Sequence, residues 1–218
     1  ALVALGDYFS QPMLEARASR LLLEYVKRCG VCQVPPVPVE DIAERFLDLG
    51  LLWDEVPEPP GCVVLAKIVP AQRLIVFNEA HRDRYERTPN LERTTLAHEI
   101  GHWELHLERG TVTADMPLPG SDHDDALVYQ RDPSTTNQDE QNAHSFMGCL
   151  LMPKEEVIGA VRARPVRHLT DMYDLARLFG VTITALQIRL GRLGLAYVDS
   201  QGKVHESRQA ALGQLSFC

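Results

Sequence analysis

The stretch TTLAHEIGHWELH, residues 94–106, decides how this chain of 218 residues is read. On a helix, His98 and His102 stand four residues apart, so both rings leave one face a turn apart. That spacing lets two imidazoles meet one zinc ion at about 2.0–2.1 Å. Glu99 lies beside them, placed to take a proton from water that such an ion acidifies. Leu96, Ile100, Trp103 and Leu107 make a separate apolar stripe pointing nearly opposite the histidines. One side of the helix is therefore expected in a core, with the other offering the two rings. At average composition the H-E-x-x-H pattern arises by chance in such a chain at most about once in a hundred times, so the metal reading is preferred to two chance surface histidines.

Two histidines leave a zinc site incomplete, and a third ligand must come from elsewhere. His106 lies roughly 12 Å along the helix axis from His98, too far to share one ion. The extended pattern with a glycine and a third histidine fails, because Leu105 and Glu108 occupy those positions. Glu140, on the next strongly periodic helix, is the best candidate; Ala143, one turn later, permits close helix approach. Asp122, Asp124 and Asp125 are rivals from a loop, which holds ligands less rigidly.

Around this segment, helices are expected over 11–28 and 39–47, the second closed by Gly50. Leu51 to Trp53 reads as a short strand, and residues 62–68 with 73–78 as a hairpin. The helix of the metal motif is expected over 91–107. Residues 110–138, rich in Pro, Gly and Asp, read as a lid, a substrate loop or plain disorder. Helices over 140–152, 154–163, 170–179 and 182–192 follow, then a small hairpin around Asp199 to Gly202. There are no internal repeats.

The composition is that of a globular chain, 45% apolar and 24% charged. No apolar run approaches the ~18 residues of a membrane span, and the opening Ala-Leu-Val-Ala-Leu lacks the basic flank of a secretory signal. Cys29, Cys32, Cys62, Cys149 and Cys218 form no disulfide framework. The single C-x-x-C, Cys29 and Cys32, reads as two reduced thiols, and a cytoplasmic location is expected. A net charge of −8 gives no general attraction to nucleic acid or anionic lipid.

TTLAHEIGHWELH followed by DEQNAHSFMGCLLMP (residues 139–153) resembles the ImmA/IrrE family of zinc metallopeptidases, as does PVPVEDIAERF at 36–46. The likeness spans roughly residues 15–195. The first motif is shared with many peptidases; the second is far more specific. The resemblance implies that His98, His102 and the glutamate of E-x-x-A-x-x-F, here Glu140 with Ala143 and Phe146, bind the metal, and that Glu99 is the acid/base. It further implies an α+β, zincin-like metallopeptidase core, a small β-sheet with the H-E-x-x-H helix, over residues 1–160. A small helix-turn-helix-like helical domain with a C-terminal hairpin and tail would fill 161–218. The implied activity is endopeptidase cleavage of a helix-turn-helix repressor in a stress or mobile-element response. Two imidazoles and a carboxylate suit Zn2+, with Mn2+ or another divalent ion also admissible.

Hydrolysis also needs a donor for the developing oxyanion. His144, one turn beyond Glu140, is the first candidate; a surface or supporting histidine is an equal reading, and Tyr129 and Tyr173 stay open. In MYDLARLFGVTITALQIRLGRL, residues 172–193, Ala176, Gly180, Val181, Thr182 and Leu186 occupy helix-turn-helix positions, with Arg189 and Arg192 on the second helix. The negative net charge favours a structural or substrate-docking role over direct DNA binding. The rival function is a DNA-binding or protein-binding regulator with a structural or vestigial metal site, against which the intact Glu99 argues.

Overall fold

The computed structural model describes residues 9–30, 35–58, 62–106, 118–119 and 138–212. Helix α1 (Gln11–Cys29) has Pro12 in its first turn, where a missing N–H breaks no helix bond. Gly30, at φ 68°, ends it with its N–H on the Val26 carbonyl. Leu14, Ala18, Leu21, Leu22 and Tyr25 form its buried face.

The next segment corrects one expectation. Helix α2 (Val39–Asp41) continues as a π-helical turn over Ile42–Phe46, and Asp48 at φ 53° reverses the chain. Gly50 does not cap this helix; it opens strand β1 (Gly50–Asp54). Its N–H donates to the Arg73 carbonyl at 2.7 Å, so the chain is already paired to a neighbouring strand at this residue. Aspartate tolerates the left-handed region well enough to make the turn.

Strand β2 (Cys62–Val63) is followed by β3 (Ala66–Val69) and β4 (Leu74–Asn78). β3 and β4 form the expected antiparallel hairpin, Ala66 opposite Phe77 and Val69 opposite Leu74. β1 runs parallel to β4, giving a three-stranded sheet in the order β1-β4-β3. Central β4 is accordingly apolar and buried at Ile75, Val76 and Phe77. Helices α3 (Arg82–Arg87) and α4 (Leu91–His106) follow, and β5 (Leu118–Pro119) pairs antiparallel with β2. Otherwise the 110–138 reading lies outside the described residues.

Helix α5 (Gln138–Leu151) packs between α4 and α1, buried at Asn142, Ala143 and from Phe146 through Leu151. Then come α6 (Lys154–Ala163), α7 (Leu169–Phe179) and α8 (Ile183–Leu193). Gly180 at φ 60° turns the chain after α7, and the Thr182 hydroxyl accepts the Ala185 N–H to cap α8. The expected small hairpin forms from β6 (Tyr197–Val198) and β7 (Val204–His205), before α9 (Arg208–Ala211). One apolar cluster runs from Phe9 in the sequence to Ala196. The fold is mixed α+β, mostly helical around a small sheet. Among the described residues no helix is long and apolar enough to cross a membrane.

The α7–α8 pair is fastened to the rest at two places. Asn90 and Arg93, at the start of α4, donate to the Val181 and Gly180 carbonyls, while Arg93 also pairs with Glu40 at 2.7 Å and donates to the Val37 carbonyl. Arg189, read from sequence as a residue that could face DNA, is 2% exposed. Its guanidinium grips both oxygens of Glu15 on α1, at 2.5 and 2.9 Å, and donates to the Met152 carbonyl.

Burial alone would raise the Glu15 pKa, but Arg189's hydrogen bonds and charge outweigh it and hold the carboxyl below its ordinary 4.5. Removing one member of such a pair strands the other, so Arg189→Ala should lower stability by about 3–5 kcal/mol, while Glu15→Leu with Arg189→Met should lose much less. Because the Glu15 pKa is depressed on folding, its stabilisation is present above the ordinary value and fades as pH falls through the folded one. Urea unfolding at neutral and acidic pH should show the Arg189→Ala penalty shrinking in acid.

Candidate metal centre

The site starts from a contact between small residues. Gly101, inside the H-E-x-x-H turn of α4, faces α5 so closely that an added Cβ would lie 3.0 Å from the Ala143 carbonyl oxygen and 3.1 Å from its Cα. Glu140 precedes Ala143 by most of a turn, and His98 and His102 flank Gly101 on α4. Touching backbones at these positions bring the three side chains together. The histidine side of α4 is thus not an open surface: Thr94 through Gly101 are all buried. α5 covers the face that the sequence left exposed.

His98 Nε2 and His102 Nε2 lie 3.0 Å apart. Glu140 places one oxygen 3.1 Å from His98 Nε2 and the other 3.1 Å from His102 Nε2. Among the described residues, His98, His102 and Glu140 are the group of ligand types that could hold a metal ion. Such edges are slightly shorter than the ~3.3 Å edge of a tetrahedron with zinc-like bonds. Two imidazole lone pairs and a carboxylate aimed at one point repel unless a proton or a cation lies between them, and a divalent ion satisfies all three at once. The His98 Nδ1 atom is buried without a hydrogen-bond partner among the described residues, and it carries the ring proton once Nε2 serves as a ligand.

The protonation tendencies follow from this crowding. Burial alone would raise Glu140, but hydrogen bonds and charge from His102 and His98 hold it well below the usual carboxylate range. Burial alone would lower His102, but Glu140 and Glu99 outweigh it and hold the imidazole above its ordinary 6.5. Glu99 is 4% exposed. Burial pushes its carboxyl above 4.5, with Glu140 adding to the rise and the charges of His102 and His98 opposing it.

His144 lies beside the cluster, its ring centroid 4.5 Å from that of His98 at an interplanar angle of 62°. Burial first, then the charges of His98, Arg192 and His102 against that of Glu140, push its pKa down to about 3 and keep the ring neutral. Tyr173 is 50% exposed on α7. His106 ends α4, and its side chain, like Tyr129, Asp122, Asp124 and Asp125, lies outside the described residues. The sequence reading passed over Gly101, although an isolated glycine inside a periodic helix is a visible sign of close packing.

The family model described as the IrrE N-terminal-like domain, a peptidase family, matches residues 75–191. That is more than half of the chain, and the chain belongs to this family. The match runs from β4 through α4 and α5 into α8, so both helices bearing the cluster and most of the α7–α8 pair fall inside it. No curated protein matches the chain.

Gly101→Ala improves intrinsic helix propensity by about 1 kcal/mol, yet it should push α5 away and weaken divalent-ion binding about 10-fold or more, as read by competition with a fluorescent chelator. Ion binding must also displace the His102 proton. Since that imidazole is held above 6.5 in the metal-free protein, affinity should fall steadily as pH drops from 8 to 6 in the same titration.

Proposed function

We propose that this chain is a zinc-dependent endopeptidase that hydrolyses a peptide bond in a protein substrate. The observation that carries the reading is the convergence of His98, His102 and Glu140 beside the buried carboxyl of Glu99. Zn2+ is the preferred ion, with Mn2+ or another divalent ion admissible for this donor set. When bound there, the ion acidifies water and polarises a carbonyl.

The residues of the chain supply the rest. His98, His102 and Glu140 hold the ion. Glu99, which lies outside the group of converging ligand atoms, accepts a proton from the attacking water and returns it to the leaving nitrogen. A carboxyl held above its ordinary range suits both halves of that cycle. His144 is neutral, and a neutral imidazole N–H suits steadying the oxyanion; its contact with the His98 ring equally suits support of that ligand. The buried setting of the cluster keeps the proton exchange within the site.

The substrate reading is a helix-turn-helix repressor, cleaved in a stress or mobile-element response in the cytoplasm. The ion pair of Arg189 with Glu15 supports a structural or docking role for α7–α8 over direct DNA reading, because the most deeply placed arginine of α8 is committed inside the fold. The experiment is incubation of the metal-loaded protein with the repressor encoded beside its gene, with and without chelator. Cleavage that chelator abolishes is expected; an intact repressor would remove the substrate reading.

Close to one divalent ion per chain should be found by elemental analysis, and His98→Ala, His102→Ala and Glu140→Ala should each lose it. Glu99→Gln keeps the shape but removes the proton acceptor. It should retain the ion while cleavage falls by a factor on the order of 10² or more; wild-type cleavage by this variant would sink the mechanism.

A further inference from the structure

Helix α1 has a second face, opposite the one it lays in the core. At 3.6 residues per turn, Met13, Ala16, Arg20, Leu23 and Lys27 fall within an arc of about 80°, on the far side from Leu14, Ala18, Leu21, Leu22 and Tyr25. All of these outward residues are exposed. Met13 and Leu23, about 15 Å apart along the axis, are each 53% exposed. Alternating steps of three and four residues are the seam period of a two-stranded coiled coil. Single exposed apolar residues are ordinary; two on one stripe with an alanine between them make a seam.

The charge on this face runs against that of the chain. Among the exposed residues of α1, Arg20, Lys27 and Arg28 are cations and Glu24 is the carboxylate, whereas the whole chain carries −8. Glu24 lies 3.9 Å from Arg20 with both side chains 56% exposed, a loose pair that neutralises little. The fold withdraws the other anion of the helix, since Glu15 is turned inward onto Arg189. Arg20 and Lys27 stand on the seam itself. Their methylene stems can cover an apolar neighbour while the charged heads reach past it to carboxylates.

Charge and shape decide among the occupants. A second copy of α1 would set like cations against each other. An anionic bilayer takes up an amphipathic helix by its apolar face, and α1 has that face in the core. A nucleic-acid duplex would lay phosphates against Met13 and Leu23 and meet a chain of negative net charge. We propose that this face of α1 is a docking surface for an acidic amphipathic helix of another protein. The apolar stripe of that helix packs on Met13, Ala16 and Leu23, and its flanking aspartates or glutamates meet Arg20, Lys27 and Arg28. None of these residues belongs to the metal cluster, so the surface stands whether or not the chain cleaves peptide bonds.

The test is fluorescence anisotropy of the full chain with two synthetic helical probes of three heptads, both with leucine at the seam positions. The acidic probe carries glutamate on its flanks and the basic probe lysine, and these like charges keep each probe from pairing with itself. At low salt the acidic probe should bind about 10-fold or more tightly than the basic one, and salt should weaken it. Arg20→Glu with Lys27→Glu should reverse the preference, so that the basic probe binds instead. Met13→Ser with Leu23→Ser should weaken the acidic probe about 10-fold or more, since a few buried anchors carry most of an interface's energy. All these side chains are exposed, so the variants should keep the wild-type unfolding midpoint. No binding of the acidic probe overturns the proposal, as does an unaltered preference in the charge-reversed variant or unaltered affinity in the serine variant. Tighter binding of a short DNA duplex or of phosphatidylserine vesicles, lost on charge reversal, reassigns the face and overturns it too. So does a dimer in sedimentation that Leu23→Ser dissolves.

Discussion

The contact of Gly101 with Ala143 is the constraint on which the rest of the site depends. Two helices can bring their backbones this close only where both side chains are nearly absent. A Cβ on Gly101 would press against the main chain of Ala143, which cannot move aside as a flexible side chain would. Glu140 is short, and a wider separation of α4 and α5 would leave its oxygens out of reach of both rings. The 3.0–3.1 Å edges of the cluster are a direct consequence of that approach.

Everything around this crossing holds it shut. α1 lays its Leu14, Ala18, Leu21 and Leu22 face on the shared core with α5. Arg189 ties α8 to Glu15 of α1 and to the Met152 carbonyl just past the end of α5. Arg93 and Asn90 fix the start of α4 to the α7–α8 turn. The C-terminal helices therefore brace both helices of the cluster. The family match likewise continues past the cluster into α8.

The electrostatics follow from the same burial. Two imidazoles and two carboxyls are packed where water is scarce, so each changes the proton affinity of the others. Glu140 is driven toward its charged form by the rings, whereas Glu99, with no such bond to either ring, is driven toward its neutral one. A ligand should be permanently ionised, and an acid/base should change state during a cycle. The two carboxyls differ because one lies between the rings and the other lies beside them.

The longer helices, the hairpin and the pairing of His98 with His102 were legible in the sequence, because helical and strand periods act over a few neighbouring residues, whereas the short helices Arg82–Arg87 and Arg208–Ala211 were not. So was the special status of Glu140, through its spacing to Ala143. Its arrival beside His98, 42 residues away in sequence, was decided only by the packing of α5 on α4. The same holds for Gly50, which opens a strand because its N–H meets the Arg73 carbonyl, and for Arg189, whose partner Glu15 lies 174 residues away. Tyr85 carries no motif at all; only the tertiary fold brings its hydroxyl to the Leu65 carbonyl. Local sequence sets which face of each element is apolar or polar, while long-range burial decides which polar groups meet, since each removed from water must find its partner elsewhere in the chain.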